Sequence, residues 1–357
     1  MRDRGHELTD ELLEEMERKI RKEYWQAVKD TQAKLDDYLR RFEIKDETWQ
    51  KNVANGKKTA EEYKRWRMGQ ILVGKRWEEM RDTLARDLHD ANAVARSVIE
   101  GYRPEVYAIN HNFATYEVEM GAKLDTSYTL YNRQAVERIM RENPDLLPPP
   151  GRKMKASLAA GKDIAWQKGQ IQSVTMQSIL QGESIPNMAK RIAQTMGETN
   201  HKATIRYART AVTGAENAGR RDAFERAERM GIDMEQEWRA VLDMRTRHEH
   251  RQLDGQRRPV GEPFEVDGEE IMFPGDPSAP GHLIWNCRCS IRGVVAGLEP
   301  QARKLRSLEG IEGMSYDEWR ESHVEKPHRI TKQEEIAEIM RRKYIREDYR
   351  SGKKKGG

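Results

Sequence analysis

The sequence predicts a mainly α-helical protein with a small α+β domain toward its C-terminus. Over most of residues 1–200 the apolar side chains recur at intervals of three and four, the period of an amphipathic helix. After Gly231 the pattern changes to the alternation of a half-buried strand, and turn-forming residues become frequent. The charged fraction of 35% and the mean hydropathy of -0.95 suit long helices with solvated faces. We therefore expect a long helical N-terminal region over 1–200, an α+β domain over 201–296 and a charged extension over 297–357 that is partly helical or flexible.

The N-terminal region is predicted to contain several successive helices. From Thr9, the expected N-cap, to about Phe42 one apolar face continues without interruption. A second helix is expected from Thr59 to Gly101, because Thr59 and Glu62 have the spacing of a capping box. Further helices are predicted at 103–121, 131–143, 161–182 and 185–197. This pattern favours an extended helical arm over a second globular domain.

The α+β domain is predicted from a change of pattern along the chain. A helix is expected from His201 to Met230, with Gly231 as its C-terminal cap. The segment MEQEWRAVLD (234–243) alternates like a strand, and a short helix over 247–253 follows. Further strands are predicted at FEV (264–266), EEIMF (269–273) and CRCSIRGVV (287–295). Turn signals separate these short segments, which indicates a compact unit.

The balance of charge and the cysteine count limit the classes of protein. The 64 basic and 60 acidic residues nearly cancel, so no global field directs the chain to nucleic acid. No apolar segment is long enough for a membrane span, and the charged N-terminus lacks a signal-peptide core. Two cysteines cannot build a disulfide framework. We therefore expect a protein that is made in the cytosol, keeps its thiols reduced and has no membrane partner.

Both cysteines lie in one stretch, HLIWNCRCSIRGVV, which includes the last predicted strand. Residues two apart in a strand point the same way, so Cys287 and Cys289 would present both sulfurs on one face. Upstream, His250 and Asp254 stand four apart on a predicted helix and share a face. Two thiolates, an imidazole and a carboxylate would complete a tetrahedral zinc site. Zinc is therefore the candidate cofactor of these four residues.

Other interpretations of the same residues stay open. His248 or His282 could take the place of the carboxylate in a zinc site. Cys-x-Cys is also a weaker zinc signature than the Cys-x-x-Cys knuckle. The two cysteines could instead be small buried apolar residues beside a polar hydrogen-bonded cluster.

A cluster of charged residues accompanies the histidines in the stretch DMRTRHEHRQLDGQ. Charged residues at a strand-to-helix turn commonly cross-link a small domain through salt bridges and caps. The candidates for this structural role are Asp243, Arg245, Arg247 and Arg288. With His250 and Asp254 they also resemble a catalytic pocket that offers an acid, a base and an anion clamp. A metal-dependent enzyme that acts on nucleic acid is therefore the alternative function.

Basic residues are concentrated near the C-terminus. They are Arg341, Arg342, Lys343, Lys353, Lys354 and Lys355. Such runs are usually solvated, but beside duplex DNA they would contact phosphates without sequence preference. Double-stranded DNA is thus a candidate partner of the extension.

Three motifs in a fixed order resemble a known family. ARTAVTGAENAGRRDAF, then EWRAVLDMRTRHEHRQLDGQ, then a phenylalanine, PGDP and NCRC are similar to the phage head morphogenesis domain of Mu protein F-like minor head proteins. The resemblance covers about 204–296. The matching residues are Arg209, Thr210, Asn217, Gly219, Arg220, Trp238, Asp243, Arg245, Thr246, Arg247, His250, Asp254, Gly255, Gln256, Phe264, Pro274, Gly275, Asp276, Pro277, Asn286, Cys287, Arg288 and Cys289.

The resemblance implies a role in virion assembly and no enzymatic activity of the domain itself. Such proteins are minor capsid components that associate with the portal vertex and assist head assembly and DNA packaging or ejection. The implied partners are the portal protein, capsid or scaffold proteins and packaged double-stranded DNA. The implied location is the virion, at the portal vertex or capsid interior, after assembly in the host cytoplasm. The N-terminal region would then contact the portal or capsid.

Some longer relatives in the family carry a toxin module after this domain. The segment after residue 296 is expected to be too short and too polar to form a packed toxin fold.

Overall fold

The computed structural model of the protein describes residues 3–126, 128–143, 146–147, 163–298, 306–307 and 314–324. Its helices are α1 (Arg4–Ala54), α2 (Ala60–Ile71), α3 (Lys75–Ala122), α4 (Arg133–Glu142), α5 (Ile164–Leu180), α6 (Ile185–Arg229), α7 (His248–Leu253), α8 (Gly281–Ile284) and α9 (Tyr316–Val324). Its strands are β1 (Leu124–Asp125), β2 (Ile232–Arg239), β3 (Arg257–Pro259), β4 (Phe264–Val266), β5 (Glu269–Ile271), β6 (Ser290–Leu298) and β7 (Arg306–Ser307). A long helical N-terminal region and a small C-terminal region with antiparallel sheets are therefore confirmed.

Helices α1, α3 and α6 pack against one another and form the body of the molecule. Their apolar faces meet in two buried clusters, one that includes Leu35 and Leu88 and another that includes Ile20. At Gly219, α6 approaches α3 so closely that an added methyl group would lie 2.4 Å from the Tyr107 carbonyl oxygen. The small residue is therefore required for this helix contact.

Helix α1 begins earlier than the sequence predicts. Asp3 is its N-cap, since the side chain accepts a hydrogen bond from the His6 amide at 2.9 Å. Thr9 was the wrong choice of cap, because it lies inside the helix and donates its hydroxyl to the Gly5 carbonyl at 2.9 Å. Asn110 of α3 also donates to the Thr9 hydroxyl, at 2.7 Å. Packing on α3 thus extends α1 beyond the start that local pattern suggests.

The predicted second helix is divided in the structure. The capping box at its start is confirmed, because Thr59 and Glu62 each accept a hydrogen bond from the other's backbone amide. Gly74 adopts a positive φ of 96° and separates α2 from α3. Helix α3 then continues past the predicted end at Gly101 and through Pro104, which is buried. Burial of its second half against α1 and α6 outweighs the local cost of the proline.

Helix α6 joins two helices that the sequence predicts separately. It starts after Ser184, whose side chain accepts a hydrogen bond from the Asn187 amide, and ends before Gly231 as predicted. Around the predicted break, Asn200 is buried and exchanges hydrogen bonds with Gln167 of α5. The division expected at residue 200 therefore falls inside one continuous helix, because tertiary contacts satisfy its polar residues.

The β-strands form small antiparallel sheets around the end of α6. The larger sheet has the order β3-β2-β6, whereas β4 pairs with β5 and β1 pairs with β7. Strand β2 ends at Arg239, four residues before the end of the predicted segment 234–243. Trp238 and Phe264 are fully buried together with Phe224 of α6 and Val118 of α3. The long helices thus complete the core of the C-terminal region.

Part of the C-terminal extension packs on the helical body. Tyr116 of α3 contacts the rings of Tyr316 and Trp319 on α9. The Trp319 indole nitrogen donates to Glu119 at 2.7 Å. Helix α9 lies in the extension that is expected to be partly helical or flexible, although no helix is predicted at this position. No helix in the described part of the chain has the length and apolarity that a membrane span requires.

Candidate metal centre and cleft

A cleft of about 790 Å³ lies between α1, α6 and the C-terminal region. Its helical wall carries the carboxylates of Asp10, Glu14, Glu17 and Glu216. The opposite wall carries the guanidinium groups of Arg245, Arg247 and Arg288. His250, Cys287 and Cys289 also line the cleft, although each is 3% exposed.

Three side chains with metal-binding atoms meet at the base of this cleft. The His250 Nδ1 atom lies 3.3 Å from the Cys289 sulfur and 3.7 Å from the Cys287 sulfur. All three candidate ligand atoms lie within 4.8 Å of one another. The structure therefore brings together three of the four residues that the sequence predicts as zinc ligands.

The cysteines precede the strand in which the sequence places them. Strand β6 begins at Ser290, and Asn286 turns the chain with a positive φ of 53°. The Thr213 hydroxyl of α6 donates to the Cys287 carbonyl at 2.8 Å, and Asn217 donates to the Cys289 carbonyl at 3.3 Å. Although the cysteines precede β6, both sulfurs lie near the same atom, the His250 Nδ1.

A backbone contact on the side away from the sulfurs fixes the orientation of the His250 ring. Its Nε2 atom lies 2.9 Å from the Leu283 carbonyl oxygen, which can only accept a hydrogen bond. Nε2 therefore carries a proton, and the Nδ1 atom faces the sulfurs. The Trp238 ring meets the imidazole edge to face at 5.9 Å between centroids.

The two thiols are electrostatically unequal. The hydrogen bond from the Cys287 thiol lowers the pKa of Cys289. Burial, with Cys289 as the neighbour, raises the pKa of Cys287. Of the two thiols, Cys289 is therefore the more acidic.

Asp254 is not close to the sulfurs, contrary to the sequence prediction. Helix α7 ends at Leu253, and the extended backbone of Asp254 removes its side chain from the helical face. Its Oδ1 atom instead accepts a hydrogen bond from the Ala240 amide at 2.8 Å. The alternative ligands His248 and His282 are exposed and do not join the group either.

The predicted structural cluster forms contacts around the same segment. Arg288 makes two hydrogen bonds of 2.8 Å to the Asp243 carboxylate, which hold the pKa of that carboxyl well below its usual range. The Arg247 guanidinium donates to the Trp285 carbonyl. Arg245 contributes its backbone amide to Asp243, while its side chain is 79% exposed.

A buried ionic network on the helical side was not singled out from the sequence. Arg220 is fully buried and donates to Asp3 at 2.6 Å, to Glu216 at 3.3 Å and to the Ile291 carbonyl at 3.2 Å. His6 lies 2.8 Å from Glu216, which raises the pKa of His6 to about 9. Arg220 was part of the family motif, but its partners are remote in sequence, so no local pattern could have identified them.

The predicted DNA contacts cannot be located in the same way. Arg341, Arg342, Lys343, Lys353, Lys354 and Lys355 all lie outside the described residues.

Comparison with known proteins assigns one region of the chain. Residues 169–292 match the family model for Phage Mu protein F like protein. This part of the chain is therefore a Mu F-like region. The match begins within α5 and includes all of α6, so the Mu F-like region starts earlier than the sequence motifs indicate.

Two relatives are similar to this chain over 222 residues each. Minor head protein GP7 of Bacillus phage SPP1 is 28% identical, across 60% of this chain and 68% of the relative. NAD(+)–arginine ADP-ribosyltransferase EFV of Enterococcus faecalis is 27% identical, across 62% of this chain and 44% of the relative. The chain thus spans less than half the length of the Enterococcus protein. No solved structure matches the chain significantly.

Proposed function

We propose that this protein is a portal-associated component of the phage head that assists head assembly and DNA packaging or ejection. The observation that carries the proposal is the similarity to a minor head protein over 60% of the chain, well beyond the motifs alone. Portal protein, capsid or scaffold proteins and double-stranded DNA are the proposed partners. The proposed location is the portal vertex or the capsid interior.

The contacts of the motif residues support an assembly role and not catalysis. The Arg288 guanidinium is paired with Asp243, and Arg247 is bound to a backbone carbonyl. These groups hold segments of the domain together. A catalytic acid, base or anion clamp would instead have to present its polar atoms to a substrate.

An exposed loop next to the cleft favours a protein partner. Leu242 is 63% exposed and Met244 is 98% exposed, and both follow β2. Clustered apolar side chains on a surface are typical of protein contact sites. This loop is therefore the proposed contact of the domain with the portal or another head protein.

The Enterococcus relative requires a separate inference, because its name describes an enzyme. The match covers 44% of that protein, which leaves more than half of it without a counterpart here. We infer that the shared part is the head-protein region. The activity in that name is accordingly not proposed for this chain.

The test is genetic and biochemical. In the phage that encodes this chain, an epitope-tagged copy should be recovered in purified heads and should co-purify with the portal protein. Changing both Leu242 and Met244 to Ser should reduce this recovery without unfolding the protein. As a control, Val94→Ser changes an exposed apolar residue of α3, 46% exposed, and should leave recovery unchanged.

Two outcomes would contradict the proposal. One is a tagged protein that is expressed but absent from heads at every stage of assembly. The other is ADP-ribosylated product when the purified chain is incubated with NAD+ and an arginine-containing acceptor.

A further inference from the structure

We propose that His250, Cys287 and Cys289 form a three-ligand zinc site whose fourth coordination position opens to the cleft. The site is independent of the proposed role in the phage head. It also differs from the site that the sequence predicts, because it does not include Asp254.

The first argument is the distances between the ligand atoms. Zinc binds sulfur at about 2.3 Å and nitrogen at about 2.0–2.1 Å, so tetrahedral geometry places nitrogen and sulfur about 3.6 Å apart. The observed distances from Nδ1 are 3.3 Å to Cys289 and 3.7 Å to Cys287. Both nitrogen–sulfur distances are therefore close to those of a tetrahedral zinc site.

The second argument is that both sulfurs approach the same nitrogen. With Nε2 protonated toward the Leu283 carbonyl, a neutral His250 ring offers one lone pair at Nδ1. One lone pair can accept one well-directed hydrogen bond, yet two sulfurs lie within 3.7 Å of it. A cation between the three atoms would be ligated by all of them at once.

The surrounding hydrogen bonds are those that metal ligands typically have. A zinc-bound histidine usually donates its other ring nitrogen to a carbonyl or carboxylate, as His250 does to Leu283. The Cys289 amide lies 3.4 Å from the Cys287 sulfur, in position to donate to a thiolate. Thr213 and Asn217 hold the carbonyls of the two cysteines from α6. The three ligands are therefore oriented before any ion binds.

The donor set and the burial together identify the metal. Two thiolates and an imidazole favour zinc over magnesium or calcium, which prefer oxygen ligands. Two negative thiolates also neutralise a divalent cation, so the complex can be buried without an uncompensated charge. Each of the three residues is 3% exposed, which fits such a neutral centre.

The fourth position is supplied by solvent. Within the described residues no further carboxylate or imidazole joins the three ligand atoms. Asp254 is bound to the Ala240 amide, and the ligand atoms border the cleft. A water molecule in the cleft can therefore complete the tetrahedron, as in zinc sites with three protein ligands.

The test uses the full chain without a polyhistidine tag, purified under reducing conditions from zinc-supplemented cells. Elemental analysis should return about one zinc per chain. Chelation should lower the melting temperature, and added zinc should restore it. Cobalt in place of zinc should give thiolate charge-transfer absorption and the intense visible bands of a tetrahedral ion.

Matched variants separate the three ligands from their neighbours. Cys287→Ser and Cys289→Ser should each weaken zinc binding by more than about 100-fold, the upper range for the loss of an outer-shell partner. Asp254→Asn and His282→Gln should retain the full zinc content and the cobalt spectrum. Circular dichroism of each variant shows whether it is folded before metal is added.

Two results would overturn the site. The first is a folded wild-type chain that contains no zinc, takes up no cobalt and melts at the same temperature with and without chelator. The second is a folded Asp254→Asn protein that loses zinc as completely as Cys289→Ser.

Discussion

The helical body and the C-terminal region share α6 but are stabilised by different means. In the body, helices of 51, 48 and 45 residues bury continuous apolar faces against one another. In the C-terminal region β3, β4 and β5 have three residues each, which is too short to be stable alone. Hydrogen bonds from α6, the Asp243–Arg288 pair and the proposed zinc site connect these short segments. Stability should therefore depend on apolar volume in the body and on individual polar contacts in the C-terminal region.

The largest effect is expected where the two regions meet. Arg220→Met should destabilise the protein by about 3–5 kcal/mol, because it removes the cation that Asp3 and Glu216 share in a buried site. Urea denaturation measures the change. Arg209→Met is the control on the same helix. Its partly exposed pair with Glu17 should be worth about 1 kcal/mol or less.

Equal effects of these two variants would contradict a network that couples the regions. A single unfolding transition in wild type that divides into two in Arg220→Met would show that the two regions unfold separately once the network is lost.

A smaller, local effect is expected at Asn217. Its amide donates to the Cys289 carbonyl, and its oxygen accepts from the Ile291 amide at 2.8 Å. Asn217→Ala leaves these buried groups unsatisfied and should cost about 1–3 kcal/mol. Hydrogen exchange should accelerate around 287–291 before it does in the helical body.

The exposed Asn187 near the start of α6 provides the control for this experiment. Asn187→Ala should change exchange only in the first turn of the helix. If hydrogen exchange in Asn217→Ala accelerated uniformly across the helical body, the two regions would not be stabilised separately.

A pH-dependent effect is expected from His6 on the helical wall of the cleft. Glu216 raises the pKa of His6 from 6.5 to about 9, with Asp10 favouring and Arg220 opposing the charged ring. Because the folded pKa is the higher one, this stabilisation is complete below pH 6.5 and is lost as pH rises through about 9. The melting temperature of wild type should exceed that of His6→Gln most at low pH, and the difference should disappear by about pH 9 or above.

The exposed His282 gives the comparison for this titration. His282→Gln should not reproduce the pH-dependent difference. A difference between wild type and His6→Gln that grows with pH would have the wrong sign for a charged His6–Glu216 pair.

The smallest effect is expected in DNA binding by the basic C-terminal segment. The chain should bind duplex DNA weakly, with a log–log salt slope of about −3 to −5 at roughly −0.9 per phosphate. Deleting 341–357 should flatten this slope and weaken binding equally on all sequences, as fluorescence anisotropy can measure. A truncated protein that binds as tightly as the full chain would show that the two described regions, and not the tail, contact DNA.

Local sequence patterns predicted the helix ends that depend on neighbouring residues alone. The capping box at Thr59 and Glu62 and the stop before Gly231 are such cases, since each needs only a few consecutive residues. The N-cap at Thr9 was wrong because Asn110, a hundred residues away, holds that hydroxyl inside the helix. The break predicted in α6 was wrong for the same reason, since Gln167 satisfies Asn200 from another helix.

In the candidate zinc site, one prediction from residue spacing was right and one was wrong. The two-residue spacing of Cys287 and Cys289 predicted that their sulfurs share one side, although β6 begins only after them. The four-residue spacing of His250 and Asp254 wrongly predicted that the two side chains share a helical face, because α7 ends at Leu253.

Residue order alone predicted the helical character, the change to short strands after Gly231, the family motifs and three of the residues that meet at the base of the cleft. These features depend on periodicity and on side-chain chemistry, which the order of residues states directly. Long-range contacts make α6 continuous, connect Arg220 to Asp3 and Ile291, and hold Asp254 away from the sulfurs. Contacts between residues far apart in sequence have energies comparable to local preferences, so they choose among the conformations that the local sequence allows.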